Sequence, residues 1–125
     1  MPGEERREDG KKRFKMLPKK NRLQKKKDID DVFRKGETRK SSLFIVKIKN
    51  NSFKDWRFCF IVSQKVSKKA SIRNRIRRRL RGFVSNNLKT LAPTKTGKDI
   101  LIIVRPGAEK ESLQEIEKTL MGILK

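Results

Sequence analysis

Between Ile72 and Phe83 the chain reads IRNRIRRRLRGF, and seven of those twelve residues are Arg or Asn. Arg carries a planar, permanently charged fork of donors that grips phosphate oxygens two at a time, which a Lys ammonium cannot do. Six Arg between Arg73 and Arg81 repel one another. No Asp or Glu lies anywhere from Trp56 to Lys98, a span holding thirteen Lys and Arg. A helix face that merely meets water usually intersperses acids at i,i+4. Here the sequence offers none within that reach. A polyphosphate would remove the repulsion and release counterions, so this pattern points to nucleic acid. The preference for Arg suits RNA, whose irregular backbone gives such forks specific places to bind.

The chemistry of hydrolysis is missing by contrast. With no His in the chain, acid–base work would need carboxylates, and Asp28, Asp30 and Asp31 read as charge at a helix start. A lone Cys59 cannot build a zinc site, and no GxxxxGK[ST] or GxGxxG loop is present. The polypeptide reads as a binder rather than as a catalyst on its own, with no metal site of its own.

The arginines need a scaffold. Ile72, Ile76, Leu80, Phe83, Val84, Leu88 and Leu91 recur with the helical period over about five turns, so the basic segment is an amphipathic helix with one apolar side. Placing residues at ~100° intervals sets Asn74, Arg75, Arg78 and Arg81 away from that side and Arg77 and Arg79 on its flanks. Arg73 falls near the apolar side, at the helix start, where it projects over a sheet edge. Before this helix, SSLFIVKIKN alternates Phe44, Val46 and Ile48 against Ile45, Lys47 and Lys49, and WRFCFIVSQKV alternates Phe58, Phe60 and Val62 against Arg57, Cys59, Ile61 and Ser63. Both read as strands. DILIIVRPG is apolar on both sides, as a central strand would be, and SLQEIEKTLMGILK is a closing amphipathic helix.

Upstream, KKKDIDDVFRKG predicts a short helix capped by Asp28, presenting Ile29, Val32 and Phe33 on one face and stopped by Gly36; its start could lie as early as Asn21. The expected order is helix, two strands, helix, strand, helix. The fold class is α+β, a small sheet with a βαβ crossover helix and flanking helices. Residues 1–18 mix both charges with Gly and Pro, show no apolar period, and read as a disordered basic lead-in to a single RNA-binding domain over residues 19–125.

One sheet face is a second candidate surface. Ile45 and Lys47, then Ile61, Ser63 and Lys65, with Arg105 leaving the last strand and Ile29 and Phe33 on the first helix, could line an apolar floor with a cationic rim. Such a surface suits single-stranded nucleic acid. The plainer alternative is that this face is core beneath a helix.

At 125 residues the chain is one domain's worth, and its formal net charge is +22. The charge is concentrated in the first two-thirds. No apolar run approaches the roughly 18 residues a membrane span needs, and no signal-peptide h-region opens the chain. Cysteine usage fits a reducing, cytoplasmic setting. Nothing points to an obligatory protein partner.

KNRLQKKKDIDDVFRKG, RFCFIVSQKVSKKASIRNRIRRRLR and DILIIVRPGA resemble, in order and spacing, the protein component of bacterial ribonuclease P, over about residues 17–125. The resemblance implies a fold like the second domain of ribosomal protein S5, with a left-handed crossover where the general rule gives a right-handed one. It implies a subunit of an endoribonuclease that removes 5′ leaders from tRNA precursors, catalysis resting with the RNA subunit and its Mg2+. Carried over residue by residue, Arg73, Asn74, Arg75, Arg77, Arg78 and Arg81 would contact the catalytic RNA. Ile29, Phe33, Ile45, Lys47, Ser63, Lys65 and Arg105 would form the cleft for the leader of precursor tRNA. The family's metal-binding loop region falls on PTKTGKD, where Asp99 is the one carboxylate. The sequence departs from the family pattern at Cys59, usually Gly, at Gln64, usually Lys, and at Ile29 and Lys47, where aromatics are common. A small ribosomal or other structural RNA-binding protein would explain the charge and the basic helix equally well. It would not explain an uncovered apolar face with a cationic rim. A DNA-binding module would want a shorter recognition helix, not one anchored across a sheet.

Overall fold

In the computed structural model, residues 17–91 and 96–124 are described. The lead-in expected over residues 1–18 lies almost wholly outside them, as does the Pro93–Thr94 break. Leu17, inside that expected lead-in, is buried in the main core with 2% of its surface exposed.

A 3-10 turn at Lys19–Asn21 precedes helix α1 (Lys26–Lys35), and a strand β1 (Glu37–Lys40) follows. Then come β2 (Phe44–Asn50), β3 (Arg57–Ile61), the long helix α2 (Ala70–Asn86), the single turn α3 (Leu88–Leu91), β4 (Lys98–Val104) and the closing helix α4 (Leu113–Leu124). The four strands form one sheet in the order β1-β2-β4-β3. β4 runs antiparallel to β2 and parallel to β3, so β3-α2-β4 is the expected βαβ unit with adjacent parallel strands.

The alternating residues sort onto the two faces as their period requires. Phe44, Val46, Ile48, Phe58, Phe60, Ile100, Ile102 and Val104 turn to one face and are buried against Ile76, Leu80 and Val84 of α2 and Ile116, Leu120 and Leu124 of α4. The other face carries a smaller cluster in which Leu101 packs on Val32 of α1 and on Leu23.

β1 was not expected. Glu-Thr-Arg-Lys has no apolar period and would not be read as a strand, yet it pairs antiparallel with β2 through all four residues. A strand at a sheet edge needs only backbone pairing on one side, and its charged side chains keep other chains from adding to it. Arg39 is further tied down by donating to the carbonyl of Ile123 at the end of α4, 3.1 Å away.

α1 begins at Lys26 with Lys25 at the cap position, so Asp28 lies in the first turn and is not the cap. It acts instead through charge at the positive helix end and through an ion pair with Arg57. Gly36 ends the helix as expected, but with φ −71° and not in the left-handed conformation. The reason for Gly is close approach: a Cβ there would collide with the Val32 carbonyl and crowd the backbone of Ile48 as the chain turns into β1.

Candidate nucleic-acid interface

α2 buries Ile76, Leu80 and Val84 on the sheet and leaves Asn74, Arg75, Arg78 and Arg81 exposed, as the helical period requires. No acid lies in its first turn and Lys69 precedes it, so the positive helix end and the cations of the segment add. Arg73, Arg77 and Arg81 form one row along the flank facing the β3 edge. Burial lowers the pKa of Arg77, and the charges of Arg81 and Arg73 lower it further, the signature of cations crowded without an anion among them. Arg77 donates to Asn74 Oδ1. Arg73 donates through Nη1 to the carbonyl of Ser67 at 2.9 Å, which pins the turn before the helix.

Arg79 differs from these five. It lies on the opposite flank and donates through Nε to Glu117 Oε2 of α4 at 3.1 Å. The sequence offered no acid within i,i+4, but tertiary packing supplies one from 38 residues away.

The second face is built by register. Ile45, Ile103 and Ile61 lie in one row across β2, β4 and β3, with Lys40 of β1 at its end; Thr38, Lys47, Leu101 and Cys59 form the next. Beyond it, Lys49, Asp99 and Arg57 form a third row. α1 covers this third row and part of the second. Its first turn meets Arg57 through Asp28 at 3.5 Å, and Asp31 accepts from Lys49 at 2.9 Å and Lys35 at 3.3 Å. Those two lysines hold the Asp31 carboxyl below its ordinary pKa, the hydrogen bond from Lys49 having the larger effect. The isoleucine row stays half-exposed beside the helix. The face is therefore neither wholly core nor wholly open.

Ile29 rests half-buried on the Leu23–Val32–Leu101 cluster, and Phe33 stands 54% exposed above the floor. Lys47 reaches under it, its Nζ 5.5 Å from the ring centroid while donating to Thr38 Oγ1 at 2.7 Å. Because β3 and β4 are parallel, Ser63 and Arg105 leave the sheet at the same end, two residues past the paired Ile61 and Ile103. Ser63 and Lys65 are exposed in the turn after β3, where Ser63 Oγ accepts from the Lys65 N–H at 3.2 Å. Arg105 is exposed, with Nη1 donating to the Ser41 carbonyl at 2.9 Å. Every cleft residue expected from the sequence thus sits on this face or at its end.

Three further residues belong to it. Ile103 completes the floor, and Thr38 and Lys40 extend it onto β1. Ile103 was hidden because a strand apolar on both sides does not announce which face is open. The signal for the other two was punctuation alone, Gly36 before and Ser41-Ser42 after.

Cys59 lies in the second row, half-buried, its thiol pushed up in pKa by burial and drawn down by the nearby charge of Arg81. α2 packs beside β3, the edge strand that carries Cys59 and Ile61, so its arginine row and the cleft adjoin there.

Asp99, at the position of the family's metal-binding loop region, where no metal was expected, is 5% exposed and engaged by its neighbours. Arg57 donates to both its oxygens, at 2.8 and 2.7 Å, and Asn51 Nδ2 donates to Oδ1 at 2.8 Å. Asp99 in turn raises the pKa of Arg57. Among the described residues no group of three or more His, Cys, Asp or Glu is placed to hold a metal ion.

The comparisons with known proteins bear on the family and the fold. A protein-family profile described as ribonuclease P matches residues 17–125. The ribonuclease P protein component of Syntrophomonas wolfei is 34% identical over 110 residues, covering 88% of this chain and 89% of that protein. That of Pseudanabaena is 36% identical over 110 residues, covering 87% and 92%. Among solved structures, the RNase P protein of Staphylococcus aureus superposes with a TM-score of 0.75 at 27% identity, over 83% of this chain and 92% of that one. The RNase P protein of Thermotoga maritima gives 0.73 at 26% identity, over 83% and 94%. With the profile running from the first described residue to the last of the sequence, and the α+β fold shared with these structures, the chain belongs to the family of ribonuclease P protein components.

Proposed function

We propose that this chain binds the catalytic RNA subunit of ribonuclease P through the exposed side of α2, and the 5′ leader of precursor tRNA in the half-open cleft beside α1. The carrying observation is the adjacency of two different surfaces along the β3 edge: a row of arginines suited to phosphate, and an isoleucine floor with Phe33 above it and cations around it. The first suits folded RNA held by its backbone. The second suits an unpaired strand, bases on the floor and phosphates toward Lys40, Lys47, Lys65 and Arg105.

Among the described residues no group of carboxylates is placed to hold a catalytic divalent ion. Asp28, Asp31 and Asp99 are each committed to Arg57, Lys35 or Lys49. Hydrolysis of the phosphodiester would then fall to the RNA subunit, whose phosphates would hold Mg2+ and so supply an activated water. The protein's part is to screen repulsion between two polyanions and to retain the leader. Among the described residues no helix is long and apolar enough to cross a membrane. A cytoplasmic site of action accords with the half-buried free thiol of Cys59.

The test is cleavage of a labelled tRNA precursor by protein, by the RNA subunit and by both, across a Mg2+ titration. Protein alone should be inactive at every concentration, and its addition should lower the Mg2+ the RNA requires. Cleavage by RNA-free protein would overturn the division of labour. An unchanged Mg2+ requirement would favour a structural RNA-binding protein without a role in catalysis.

A further inference from the structure

Phe33 and Phe53 are the two exposed large apolar side chains among the described residues, and the cleft accounts for the first alone. Phe53, 56% exposed, lies in the turn between β2 and β3, beside the row of Lys49, Asp99 and Arg57. α1 separates it from the isoleucine floor.

This turn is held in place. Asn51 Oδ1 accepts from the Phe53 N–H at 2.8 Å, and Asn51 Nδ2 donates to the Asp55 carbonyl at 3.2 Å and to Asp99 at 2.8 Å. Gly97 clamps it from the start of β4: its N–H donates to the Phe53 carbonyl at 3.0 Å and its carbonyl accepts from the Asn51 N–H at 3.1 Å. A Cβ on Gly97 would collide with Asn51 Oδ1 and with the carbonyls of Phe53 and Asp55, so the approach is open to Gly alone. Beneath the ring, the Arg57 guanidinium carbon sits 4.7 Å from the centroid, and Asp99 fixes that guanidinium through two hydrogen bonds.

A large apolar ring held toward water by a rigid scaffold has lost the freedom to fold away. The ordering that a ligand would otherwise impose is already done. Of the cations around it, Lys49 is paired with Asp31 and Arg57 with Asp99 and Asp28, which leaves Lys54 and Lys98, with Asp55 alongside, to form the basic rim. Lys98 itself lies 5.6 Å from the Trp56 ring centroid. An apolar protein partner gains nothing from such a rim, whereas an unpaired nucleotide uses both parts, its base on the ring and its phosphate on the lysines.

We propose that Phe53, backed by Arg57 and flanked by Lys54 and Lys98, is a stacking platform for an unpaired RNA base, a contact point separate from both the α2 surface and the leader cleft.

The test measures binding of the full chain to a short single-stranded oligoribonucleotide, and to a duplex RNA of equal length, by fluorescence anisotropy at fixed salt. Phe53→Ala should weaken the single strand by about fivefold to a hundredfold and leave the duplex within twofold, since stacking needs an unpaired base. Phe53→Tyr should bind as the parent does. Phe53→Leu, which keeps apolar bulk without a ring, should resemble Phe53→Ala. Parent-like binding by Phe53→Ala, or equal losses for single strand and duplex, would overturn the proposal. So would parent-like binding by Phe53→Leu, which would mark the position as an apolar contact of the kind a protein partner uses. Melting temperatures of all three variants should match the parent, because the ring is exposed and the turn is held by backbone and Asn51. A lowered melting temperature in Phe53→Ala and Phe53→Leu but not in Phe53→Tyr would show the ring to be structural, and would equally count against the platform.

Discussion

Arg79 on α2 and Glu117 on α4 form an ion pair of 3.1 Å that ties together the two helices sharing one face of the sheet. Arg79 is thereby given to the fold, whereas Arg75 and Arg78 stay exposed on the outer side of the helix. Arg79→Ala should leave affinity for the RNA subunit within about twofold and lower stability by at most about 1 kcal/mol, as for other partly exposed pairs. RNA titration and urea unfolding of the variant check both halves.

Arg75 and Arg78 should behave in the opposite way. The double variant Arg75→Ala, Arg78→Ala should fold normally, since both side chains are exposed. It should bind the RNA subunit more weakly, and the slope of log affinity against log salt should fall by about 1 to 2, one phosphate contact per residue lost. An unchanged slope would show that these residues do not meet phosphate.

The cleft should discriminate between substrates. Phe33→Ala or Lys65→Ala should reduce affinity for precursor tRNA about fivefold or more while leaving mature tRNA almost unaffected, because a precursor alone supplies unpaired nucleotides to the floor. Competition binding with the two tRNAs distinguishes this from damage to the fold, which would lower both.

Arg57 joins the sheet to α1 and to the turn before β3. Removing it leaves the Asp99 carboxylate buried without its principal partner, which costs about 3 kcal/mol or more. Arg57→Ala should therefore be strongly destabilised in chemical unfolding. Adding Asp99→Asn should recover part of the loss, because the remaining side chain no longer carries a charge.

Asp31 gives the fold a pH dependence of known sign. Lys49 and Lys35 lower its folded pKa beneath the unfolded value, so its ion pairs stabilise the protein above about pH 4, and that contribution disappears as pH falls through the folded pKa. Asp31→Asn should be less stable than the parent near neutrality, and the two should converge in strong acid. Urea unfolding at several pH values between 7 and 2 provides the comparison.

The long helix, its apolar side and its exposed arginines were legible because a sustained helical period survives any tertiary context. The two alternating strands were legible for the equivalent reason. β1 was not, since a charged edge strand is held by backbone hydrogen bonds that every sequence can make. The partner of Arg79 was also hidden, because Glu117 meets it through the fold and not through spacing along a helix. Individual cleft residues could be placed by period and resemblance, but their arrangement depends on the register of β4, which brings Ile103 between Ile45 and Ile61.

That register has a bearing on how the protein is made. β2 and β3 are consecutive in the chain yet do not pair with each other; the last strand, β4, lies between them and supplies the partner of both. Until residues 98–104 have left the ribosome, the sheet has no middle, and α2 has only an incomplete surface on which to lay its apolar side. Pairings of this kind span long stretches of chain and form slowly. A nascent chain stopped before Lys98 would already carry all six arginines of the basic helix, in an order set by nothing but local helicity. Discriminating attachment to RNA, as opposed to simple attraction between opposite charges, should accordingly appear late in synthesis, with the arrival of the one strand whose charges, Lys98 and Asp99, cancel.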